Sequence, residues 1–482
     1  MPIAPIRPLA CLLLLALACA YSARAVTVRE DGWAVHYNFP DQDTFAASSG
    51  NPNEWAIRDA LLARINALTN GQEGFLSTYT FSGDSTCCGA AGPILTAVNG
   101  ALNRGATMHM VIDNSVSKST TYGSYSLNDL TNRVVNPLDL EEESDPGGIM
   151  HHKLGLFDYG PSNRWVFVAS WNFTGGASSL QWNIGLEVRD NAMYAAYKAE
   201  FAEFLAGRFH DNPAKSHAHD RSTYSIPGAW GTNVVRFGPY PTSATGGNNA
   251  LTDVTNAIRQ AKHEIVFALN KLTRTTIRDQ LIAAANRGVA VYGSMPRSDT
   301  DPGGDSDAIY SALTNSANYT TTNVVHMLRA FAMADWSALD AGESELIHAK
   351  YMVIDPFGAN PLLIHGSANW TASALSFTNT NDENINFIRH RDIARIFYAD
   401  FKRITGAFQQ RNDFWWDISG TSTAIVTRLW ATDTNSVVGQ TATNLSGPWA
   451  AQWTNATGVV GYTTRTNLPG APPTFFRALR SP

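Results

Sequence analysis

Residues 348–369 read H-A-K-Y-M-V-I-D-P-F-G-A-N-P-L-L-I-H-G-S-A-N. His348 and Lys350 are two residues apart, so on a strand both side chains emerge from the same face. An apolar run and a short turn then separate the later polar positions of the stretch. Its candidate functional and structural residues are His348, Lys350, Asp355, Ser367 and Asn369.

The same arrangement occurs once more, earlier in the chain. The histidine-to-lysine, histidine-to-aspartate and aspartate-to-serine intervals are 2, 7 and 12 residues in both copies. The serine-to-asparagine step is also shared. A repeat of five positions at equal intervals predicts an internally duplicated chain with one motif in each half. The earlier copy consists of His151, Lys153, Asp158, Ser170 and Asn172.

Each half also repeats the order helix, strand, helix, strand, which indicates parallel βαβ construction. The signature Asn-Arg-Gly recurs at residues 103–105 and 286–288, each time between a predicted helix and an apolar strand. The second half is 14 residues longer, within 296–345. The predicted elements are Glu54–Leu68, Phe75–Phe81, Pro93–Arg104, Thr107–Ile112 and the closing helix Ala192–Arg208, then Leu251–Lys262, Glu264–Leu269, Thr276–Arg287, Ala290–Ser294 and the closing helix Asp392–Thr405.

At these motifs the sequence resembles the phospholipase D superfamily, the phosphodiesterases and phosphatidyltransferases with a duplicated H-x-K-x(4)-D motif. The resemblance covers about residues 50–410. It implies an α/β fold, in which two similar halves pack face to face with the active site at a pseudo-twofold seam. It implies no metal and no cofactor.

Neither half holds a complete site, because one histidine can attack phosphorus but a second group must protonate the departing oxygen. His151 and His348 are the candidate nucleophile and general acid. Lys153 and Lys350 are predicted to hold the non-bridging phosphoryl oxygens and to neutralise their charge in the transition state. Substrate-phosphate contacts are also predicted for the downstream pairs: Asn172 and Asn369 as neutral donors, with Ser170 and Ser367 hydrogen-bonding nearby.

Other polar residues of the motifs are predicted to be structural. Asp158 and Asp355 lie at odd separation from their histidines, so they face away from the phosphate. In the resembled family these aspartates are structural. His152 is adjacent to His151 and therefore on the opposite face of the strand.

A nucleophilic histidine needs a carboxylate on its other ring nitrogen to fix the tautomer. The segment N-D-E-N at 381–384 resembles an N-x-E-N element of the family, and Glu383 matches its carboxylate. By that resemblance Glu383 reaches across the seam to His151, which makes His151 the predicted nucleophile. In the first half the equivalent position falls on Asn183 or Gly185, with Glu187 slightly beyond, so what orients His348 is open.

The first half also departs from the family pattern at Ala169. A glycine usually precedes the serine there, and Gly366 keeps it in the second half.

The N-terminus is typical of a secretory signal. Arg7 supplies the positive charge, 9–20 the apolar segment and 23–25 the small-residue cleavage site. The sequence therefore predicts a mature chain that begins near Val26 and is secreted, periplasmic or at the cell surface. Its predicted divisions are a signal peptide at 1–25, the first half at 26–210, a connector at 211–232, the second half at 233–411 and a small β-rich region at 412–482.

The C-terminal region has a different texture, rich in Thr, Asn, Gly and Trp. Strand-like patches occur at Ser422–Leu429, Ala450–Trp453 and Val459–Thr464. The ending P-P-T-F-F-R-A-L-R is interpreted as a terminal strand, with a recognition address for export or surface machinery as the alternative.

Three polar or reactive segments are not assigned to the site. Cys87 and Cys88 are interpreted as two loop thiols or one strained vicinal bridge, because a bridge between neighbours closes a strained ring. The acidic run at 299–307 lacks the spacing and the terminal glutamate of a calcium loop and is predicted to be a solvated loop. Glu141–Glu143 is likewise predicted to be a solvated loop.

The net charge is −6, from 35 basic and 41 acidic residues, which argues against a nucleic-acid binder held by bulk electrostatics. With the predicted export, it favours a phospholipase D that acts on phospholipid at a membrane or micelle surface. The segments S-W-N-F-T, S-A-N-W-T and N-D-E-N resemble the nuclease-like branch, so a secreted nuclease is the alternative. Hydrolysis and head-group transfer are both open, and no obligate protein partner is inferred.

Overall fold

A computed structural model describes most of residues 27–405 and the strands that follow. Its ranges are 27–38, 54–83, 89–113, 116–117, 119–130, 133–134, 148–210, 214–240, 249–328, 346–376, 381–405, 414–421, 424–431, 437–442, 450–454, 461–467 and 475–480. The predicted signal peptide at 1–25, Cys87, Cys88 and Glu141–Glu143 lie outside these ranges and stay predictions. No helix within the ranges combines the length and apolar character that crossing a membrane requires.

The first half begins with an antiparallel pair of strands and ends with a long closing helix. Asp190 caps this helix, since its side chain accepts a hydrogen bond from Met193 N at 2.7 Å. The elements are β1 (Thr27–Glu30), β2 (Trp33–Tyr37), α1 (Ala56–Asn66), β3 (Glu73–Thr78), α2 (Ala91–Asn103), β4 (Thr107–Ile112), β5 (Thr121–Tyr122), β6 (Tyr125–Ser126), α3 (Leu127–Leu130), β7 (Lys153–Asp158), β8 (Arg164–Ala169), α4 (Gly175–Ser179), β9 (Gln181–Trp182), β10 (Ile184–Arg189) and α5 (Asn191–Leu205).

The second half repeats this order. Its elements are β11 (Arg221–Tyr224), β12 (Asn233–Gly238), α6 (Ala250–Gln260), β13 (Glu264–Leu269), α7 (Thr275–Asn286), β14 (Ala290–Ser294), α8 (Arg297–Thr300), α9 (Asp307–Thr314), a 3₁₀ turn at Ser316–Asn318, β15 (Val325–Met327), β16 (Leu346–Ile347), β17 (Lys350–Ile354), β18 (Leu362–Gly366), α10 (Ala372–Leu375), β19 (Glu383–Ile388) and α11 (Arg391–Thr405).

The internal duplication is visible as two sheets with corresponding strand orders. Among the described residues their orders are β1-β2-β10-β8-β7-β3-β4 and β11-β12-β19-β18-β17-β13-β14-β15. The predicted βαβ units are confirmed, since β3 pairs with β4 and β13 with β14 in parallel. The motif strands β7 and β17 run antiparallel to their neighbours, so the sheets are mixed rather than parallel. Short connections from β7 to β8 and from β17 to β18 permit only antiparallel pairing.

The Asn-Arg-Gly signature closes α2 and α7 in the same way. Gly105 and Gly288 adopt φ of 86° and 91°, a conformation in which an L side chain is strained. The amide after each glycine bonds back to the carbonyl of Ala101 or Ala284 at 3.1 Å, which is the Schellman motif. The arginine of each signature also donates to carbonyls at the end of the preceding helix, α1 or α6.

Each half has its own hydrophobic core on one face of its sheet, against α1 and α2 or against α6 and α7. The closing helices cover other surfaces and reach the opposite half: α5 contacts β11, and α11 contacts β2. Between these layers the strands β9 and β16 pair in parallel, Leu346 beside Gln181 and Ile347 beside Trp182. Main-chain pairing therefore fixes the register of the two halves at the seam.

The departure at Ala169 is accommodated by a glycine on the neighbouring strand. A side chain at Gly366 would bring its Cβ to 2.1 Å from the carbonyl oxygen of Asn384. In the first half Ala169 lies opposite Gly185, whereas Gly366 lies opposite Ile385. Each pair thus contains one glycine, which lies on β10 in the first half and on β18 in the second.

Two predicted loops contain more structure than expected. The connector at 211–232 includes β11, which pairs with β12 as the edge of the second sheet. The run at 299–307 is not simply a solvated loop, because Asp299, Thr300 and Ser306 are buried. The Ser306 hydroxyl accepts a hydrogen bond from Leu272 N at 3.1 Å, and Lys271 contacts the carboxylate of Asp305. Attachment to the end of β13 explains the burial.

Residues 407–482 belong to a second compact unit, separate from the unit of residues 27–406. Its described strands are β20 (Phe414–Thr421), β21 (Ala424–Ala431), β22 (Val437–Ala442), β23 (Ala450–Thr454), β24 (Gly461–Asn467) and β25 (Phe475–Arg480). They form two three-stranded antiparallel sheets, of order β20-β21-β24 and β23-β22-β25. The predicted patches overlap β21, β23 and β24, and the chain ending forms the strand β25, as interpreted from the sequence.

Candidate active site

The two motifs meet at the seam between the halves. Lys153 and Lys350 are the first residues of β7 and β17, and His151 and His348 lie two residues before them. All four side chains are buried, His348 being the most exposed at 8%. Interior strands of two sheets therefore present two histidines and two lysines to one place.

Main-chain hydrogen bonds across the seam set the position of each histidine. His151 N donates to Asp382 O, and His348 N donates to Trp182 O, both at 3.0 Å. These bonds are related by the pseudo-twofold. They place the residue that follows each acceptor, 383 in one half and 183 in the other, beside the histidine of the opposite half.

Glu383 contacts His151 as predicted from the resemblance. Its Oε1 lies 2.7 Å from Nδ1 of His151, and its Oε2 accepts a hydrogen bond from the Ser367 hydroxyl at 2.6 Å. A carboxylate at Nδ1 keeps the proton on that nitrogen. The lone pair of neutral His151 is therefore on Nε2.

Asn183 occupies the equivalent position for His348, which resolves the alternatives left open by the sequence. Its Oδ1 lies 3.0 Å from Nδ1 of His348 and accepts from the Ser170 hydroxyl at 2.8 Å. Its Nδ2 donates to Ala177 O at 2.9 Å, which fixes the orientation of the amide. Glu187, the carboxylate slightly beyond these positions, pairs instead with Arg64 at 2.7 Å.

The serines of the two motifs lie behind the histidines. Both are fully buried, and each hydroxyl holds the side chain that contacts a histidine: Ser367 holds Glu383, and Ser170 holds Asn183. Each hydroxyl also accepts a main-chain N–H, from Asn384 at 3.0 Å or from Ile184 at 3.1 Å. This geometry favours a positioning role over the predicted phosphate contact.

Each motif lysine folds back on its own histidine. Lys153 Nζ donates to His151 O at 2.8 Å, and Lys350 Nζ donates to His348 O at 3.0 Å. Lys350 Nζ also lies 3.2 Å from Nε2 of His348. Both ammonium groups are thus held next to the imidazole rings.

Burial perturbs the lysines strongly. It lowers the pKa of Lys153 to about 7, although the charges of Glu383 and Asp113 act in the opposite direction. Burial and the nearby charge of Lys153 lower the pKa of Lys350 well below its usual range. The free site therefore disfavours two protonated lysines at once.

The histidines and the glutamate are shifted by the same desolvation. Burial, together with the charges of Lys153 and Lys350, lowers the pKa of both His151 and His348 well below 6.5. Burial raises the pKa of Glu383 to about 7, and the charge of Lys153 partly offsets that increase. Two neutral imidazoles are therefore the favoured free state of the site at neutral pH.

Asn172 and Asn369 follow β8 and β18 at matching positions and are half-buried. In each, the amide oxygen is buried and accepts no hydrogen bond within the described part of the chain. Their predicted contact with substrate phosphate stays a prediction.

Two further residues beside His151 were not found from the sequence. The Tyr79 ring lies edge-on to the His151 ring, with centroids 5.3 Å apart, and Lys153 Nζ lies 5.7 Å from the tyrosine ring centre. Asp113 is buried and accepts a hydrogen bond from Met150 N at 3.2 Å. Tyr79 and Asp113 directly follow the carboxyl ends of the parallel strands β3 and β4. Functional residues are common at this edge of a sheet, so their position after the strands is the signal that could have identified them.

The residues predicted to be structural make their hydrogen bonds to groups other than the rings of His151 and His348. Asp158, at the far end of β7, accepts from Gly160 N and from Arg164, both at 2.9 Å. Asp355, at φ 49°, accepts from the amides of residues 262–264 at the start of β13. His152 is buried against Phe204 and accepts a hydrogen bond from Asn384 at 3.0 Å.

The two halves are matched separately by one family model, described as "Cardiolipin synthase, PLD-like domain", at residues 65–205 and 254–405. No curated protein matches the chain. The fold is similar to phosphatidylserine synthase from Haemophilus influenzae Rd KW20, at 10% identity and a TM-score of 0.50 over 80% of this chain and 87% of that one.

Two other solved structures are more distant. Polyphosphate kinase from Porphyromonas gingivalis matches at 13% identity and a TM-score of 0.46 over 83% of this chain, which spans about half (51%) of the kinase. Nuc from Salmonella typhimurium, a phospholipase D family member, matches at 22% identity and a TM-score of 0.26 over 36% of this chain and 93% of its own. The family model covers more than half of the chain, in two copies that each contain one H-x-K motif, and the chain therefore belongs to the PLD-like domain family of the phospholipase D superfamily.

Proposed function

We propose that this chain cleaves the head-group phosphodiester of phospholipids through a covalent phosphohistidine on His151. Members of the superfamily are phosphodiesterases and phosphotransferases. The observation that carries the proposal is the unequal support of two otherwise equivalent histidines: a carboxylate behind His151 and a carboxamide behind His348.

In the first step Nε2 of His151 attacks phosphorus. A phosphorus–nitrogen bond forms while the bond from phosphorus to the head-group oxygen breaks. His348, which takes up a proton on Nε2 as the anionic phosphodiester binds, gives that proton to the departing oxygen, so the alcohol leaves neutral. The phosphatidyl group remains on His151.

In the second step the roles of His348 reverse. Its neutral Nε2 takes a proton from water, and the water oxygen attacks phosphorus. The phosphorus–nitrogen bond breaks, which releases phosphatidic acid and restores both histidines. An alcohol in place of water gives head-group transfer by the same route.

The carboxylate supports this assignment of roles. Attack by Nε2 while Nδ1 keeps its proton makes the ring of His151 an imidazolium, and the negative charge of Glu383 stabilises it. Asn183 orients His348 but carries no charge, so His348 gives up its proton more readily. Different surroundings thus separate an acid from a nucleophile of the same residue type.

The lysines supply the charge that binds the phosphate. In the free site burial depresses the pKa of Lys153, and burial together with the charge of Lys153 depresses that of Lys350. An anionic phosphodiester adds the missing negative charge, so both lysines become protonated as it binds. Because protonated lysines neutralise the non-bridging oxygens, the mechanism needs no metal.

Phospholipid is favoured as the substrate by two observations. The net charge of −6 disfavours a long polyanion held by bulk electrostatics. The matching family model is described as a cardiolipin synthase, and the similar fold at a TM-score of 0.50 is that of a phosphatidylserine synthase. Nuclease activity is the alternative, from the resemblance of the segments around Asn172, Asn369 and Glu383.

A side-by-side assay tests the substrate class. The full chain is incubated with phosphatidylcholine in mixed micelles and with single-stranded DNA, both in excess chelator, with His151→Ala as the control. We expect head-group release from the lipid, none by the variant, and no loss to chelation. Cleavage of DNA alone would replace the lipid assignment with the nuclease, and loss restored by a divalent ion would contradict the mechanism.

A further inference from the structure

A second cluster of buried charged groups lies next to the site, and the mechanism above does not use it. Its centre is Lys215, in the segment predicted to be a connector. The ammonium donates to Glu200 at 2.8 Å and contacts the carboxylate of Asp382. The lysine is 5% exposed, and both carboxylates are fully buried. A buried charge of this kind is costly unless paired, so its position is well determined.

Asp382 connects this cluster to the nucleophile. Its carbonyl accepts from His151 N and its amide donates to Ile149 O, both at 3.0 Å. The next residue is Glu383, whose carboxylate contacts the His151 ring. The side chain of Asp382 contacts the ammonium of Lys215. It also accepts hydrogen bonds from His210 N, at 3.0 Å to Oδ1 and 3.1 Å to Oδ2. Anchoring Asp382 therefore fixes both the main chain and the carboxylate that define the position of His151.

The same construction occurs behind His348 with different chemistry. Trp182 is the equivalent of Asp382, since its carbonyl accepts from His348 N and Asn183 follows it. The guanidinium of Arg403 lies 4.9 Å from the Trp182 ring centre and pairs with Asp400. Glu200 and Asp400 occupy the tenth position of α5 and of α11. Each histidine thus has behind it a buried cation that is paired with the same helix position.

We propose that Lys215 is a positioning residue for the nucleophile and that Arg403 is its counterpart for the general acid. Lys215 acts through an ion pair with Asp382, and Arg403 acts through the face of Trp182. The proposal rests on the roles proposed above for the two histidines. It assigns the connector a direct part in assembling the active site.

The two cations predict opposite patterns of loss. Lys215→Met displaces the carboxylate behind the nucleophile, so it slows formation of the covalent intermediate on every substrate. Misplacement of a reacting group by about 1 Å costs on the order of 10²-fold. Arg403→Met disturbs only the acid, so it slows substrates with alkoxide leaving groups and spares an activated ester such as p-nitrophenyl phosphocholine. KM changes little in either case, because neither residue touches substrate.

A titration of the free protein gives a readout that needs no turnover. The Cε1 resonances of His151 and His348 in the full chain are followed with pH. The titratable groups that face His151 are Lys153, Lys350, His152, His348, Tyr79 and Glu383. Behind Glu383 lie the charges of Asp382 and Glu200, which His210 and His219 also contact. Removal of the Lys215 cation leaves the negative charge of these carboxylates less compensated, so the pH midpoint of the His151 titration rises. The midpoint of His348 stays, and Lys215→Arg restores the wild-type profile.

The outcomes separate this proposal from the one on which it rests. An adduct absent from His151 in the wild-type chain overturns the histidine roles before any variant is made. With that adduct present, equal losses of Lys215→Met and Arg403→Met on both substrates, together with an unmoved His151 midpoint, overturn the positioning roles. If Lys215→Met fails to fold, Lys215→Met/Asp382→Asn removes the charge on both sides. Wild-type burst rate and midpoint in that folded variant would also overturn the proposal.

Discussion

The two halves of the active site are alike in every motif residue and differ in what supports each histidine. Behind His151 lies a carboxylate, Glu383, whereas behind His348 lies a carboxamide, Asn183. Serines at matching positions hold both side chains, and matching main-chain bonds hold both histidines. Under the proposed mechanism, the difference in charge between Glu383 and Asn183 is what gives two otherwise equivalent histidines different roles.

Removal of that charge is the strongest test of the comparison. We expect Glu383→Gln to lower kcat by on the order of 10⁴-fold on all substrates, because the amide cannot stabilise the imidazolium formed by attack. Asn183→Asp is the matched change in the other half. It raises the pKa of His348 and weakens it as an acid, so it slows only substrates with poor leaving groups. Steady-state rates of both variants on phosphatidylcholine and on the nitrophenyl ester are the measurement; equal losses would contradict the division of roles.

Deletion of the acid has the next largest effect. His348→Ala is expected to lose about 10²–10⁴-fold on phosphatidylcholine, whose leaving group needs a proton. On p-nitrophenyl phosphocholine the first step survives, because nitrophenolate leaves without protonation. The variant then stalls, since no base activates water. Stopped-flow measurement should show a burst equal to the enzyme concentration, and full turnover without a burst would be inconsistent with these roles.

The lysines of the two halves should also respond differently to pH. In the free enzyme the pKa of Lys153 is lowered to about 7 by burial, so kcat/KM should fall above that pH, up to tenfold per unit, as the cation is lost. Bound phosphodiester keeps the lysine charged, so kcat falls only at higher pH. Lys153→Arg keeps its charge and moves the alkaline limb of kcat/KM upward.

Lys350→Arg provides the opposite control. A permanent cation beside Lys153 disfavours the protonated form of that lysine, so the alkaline limb should move to lower pH. Profiles of kcat/KM against pH for both variants check this, and a shift in the same direction for both would refute the assignment to Lys153.

The smallest expected effect concerns the serines. Ser367 donates to a carboxylate and Ser170 to a neutral amide, and hydrogen bonds to charged groups contribute about 1 kcal/mol more. Ser367→Ala should therefore lower kcat/KM by about fivefold more than Ser170→Ala. If the alanine variants lost equally, or in the reverse order, the serines would not act through the histidine supports.

The sequence predicted those parts of the fold and site that depend on local pattern. The spacing around His151 and His348 gave the duplication, and helical and strand periodicity placed the βαβ units within a few residues. The resemblance identified Glu383. The antiparallel course of β7 and β17 was missed, because the order of elements does not determine which neighbour a strand pairs with.

Other features depend on tertiary register, which sequence spacing does not contain. Asn183 could not be distinguished from Gly185, because the pairing of β9 with β16 sets which of them faces His348. Tyr79 and Asp113 reach the site only because parallel strands end there. The sequence places Lys215 in a connector and gives no sign of its burial, because that burial depends on carboxylates from α5 and from the residue that precedes β19.

The central claim is that His151, with its carboxylate, carries the covalent intermediate. Rapid quench of the full chain during the burst on p-nitrophenyl phosphocholine, followed by mass spectrometry of the peptides, tests it most directly. We expect a phosphoryl adduct on the peptide that contains His151, at a stoichiometry equal to the burst, and none on the peptide that contains His348. An adduct on His348 with none on His151 would contradict it and reverse the two roles.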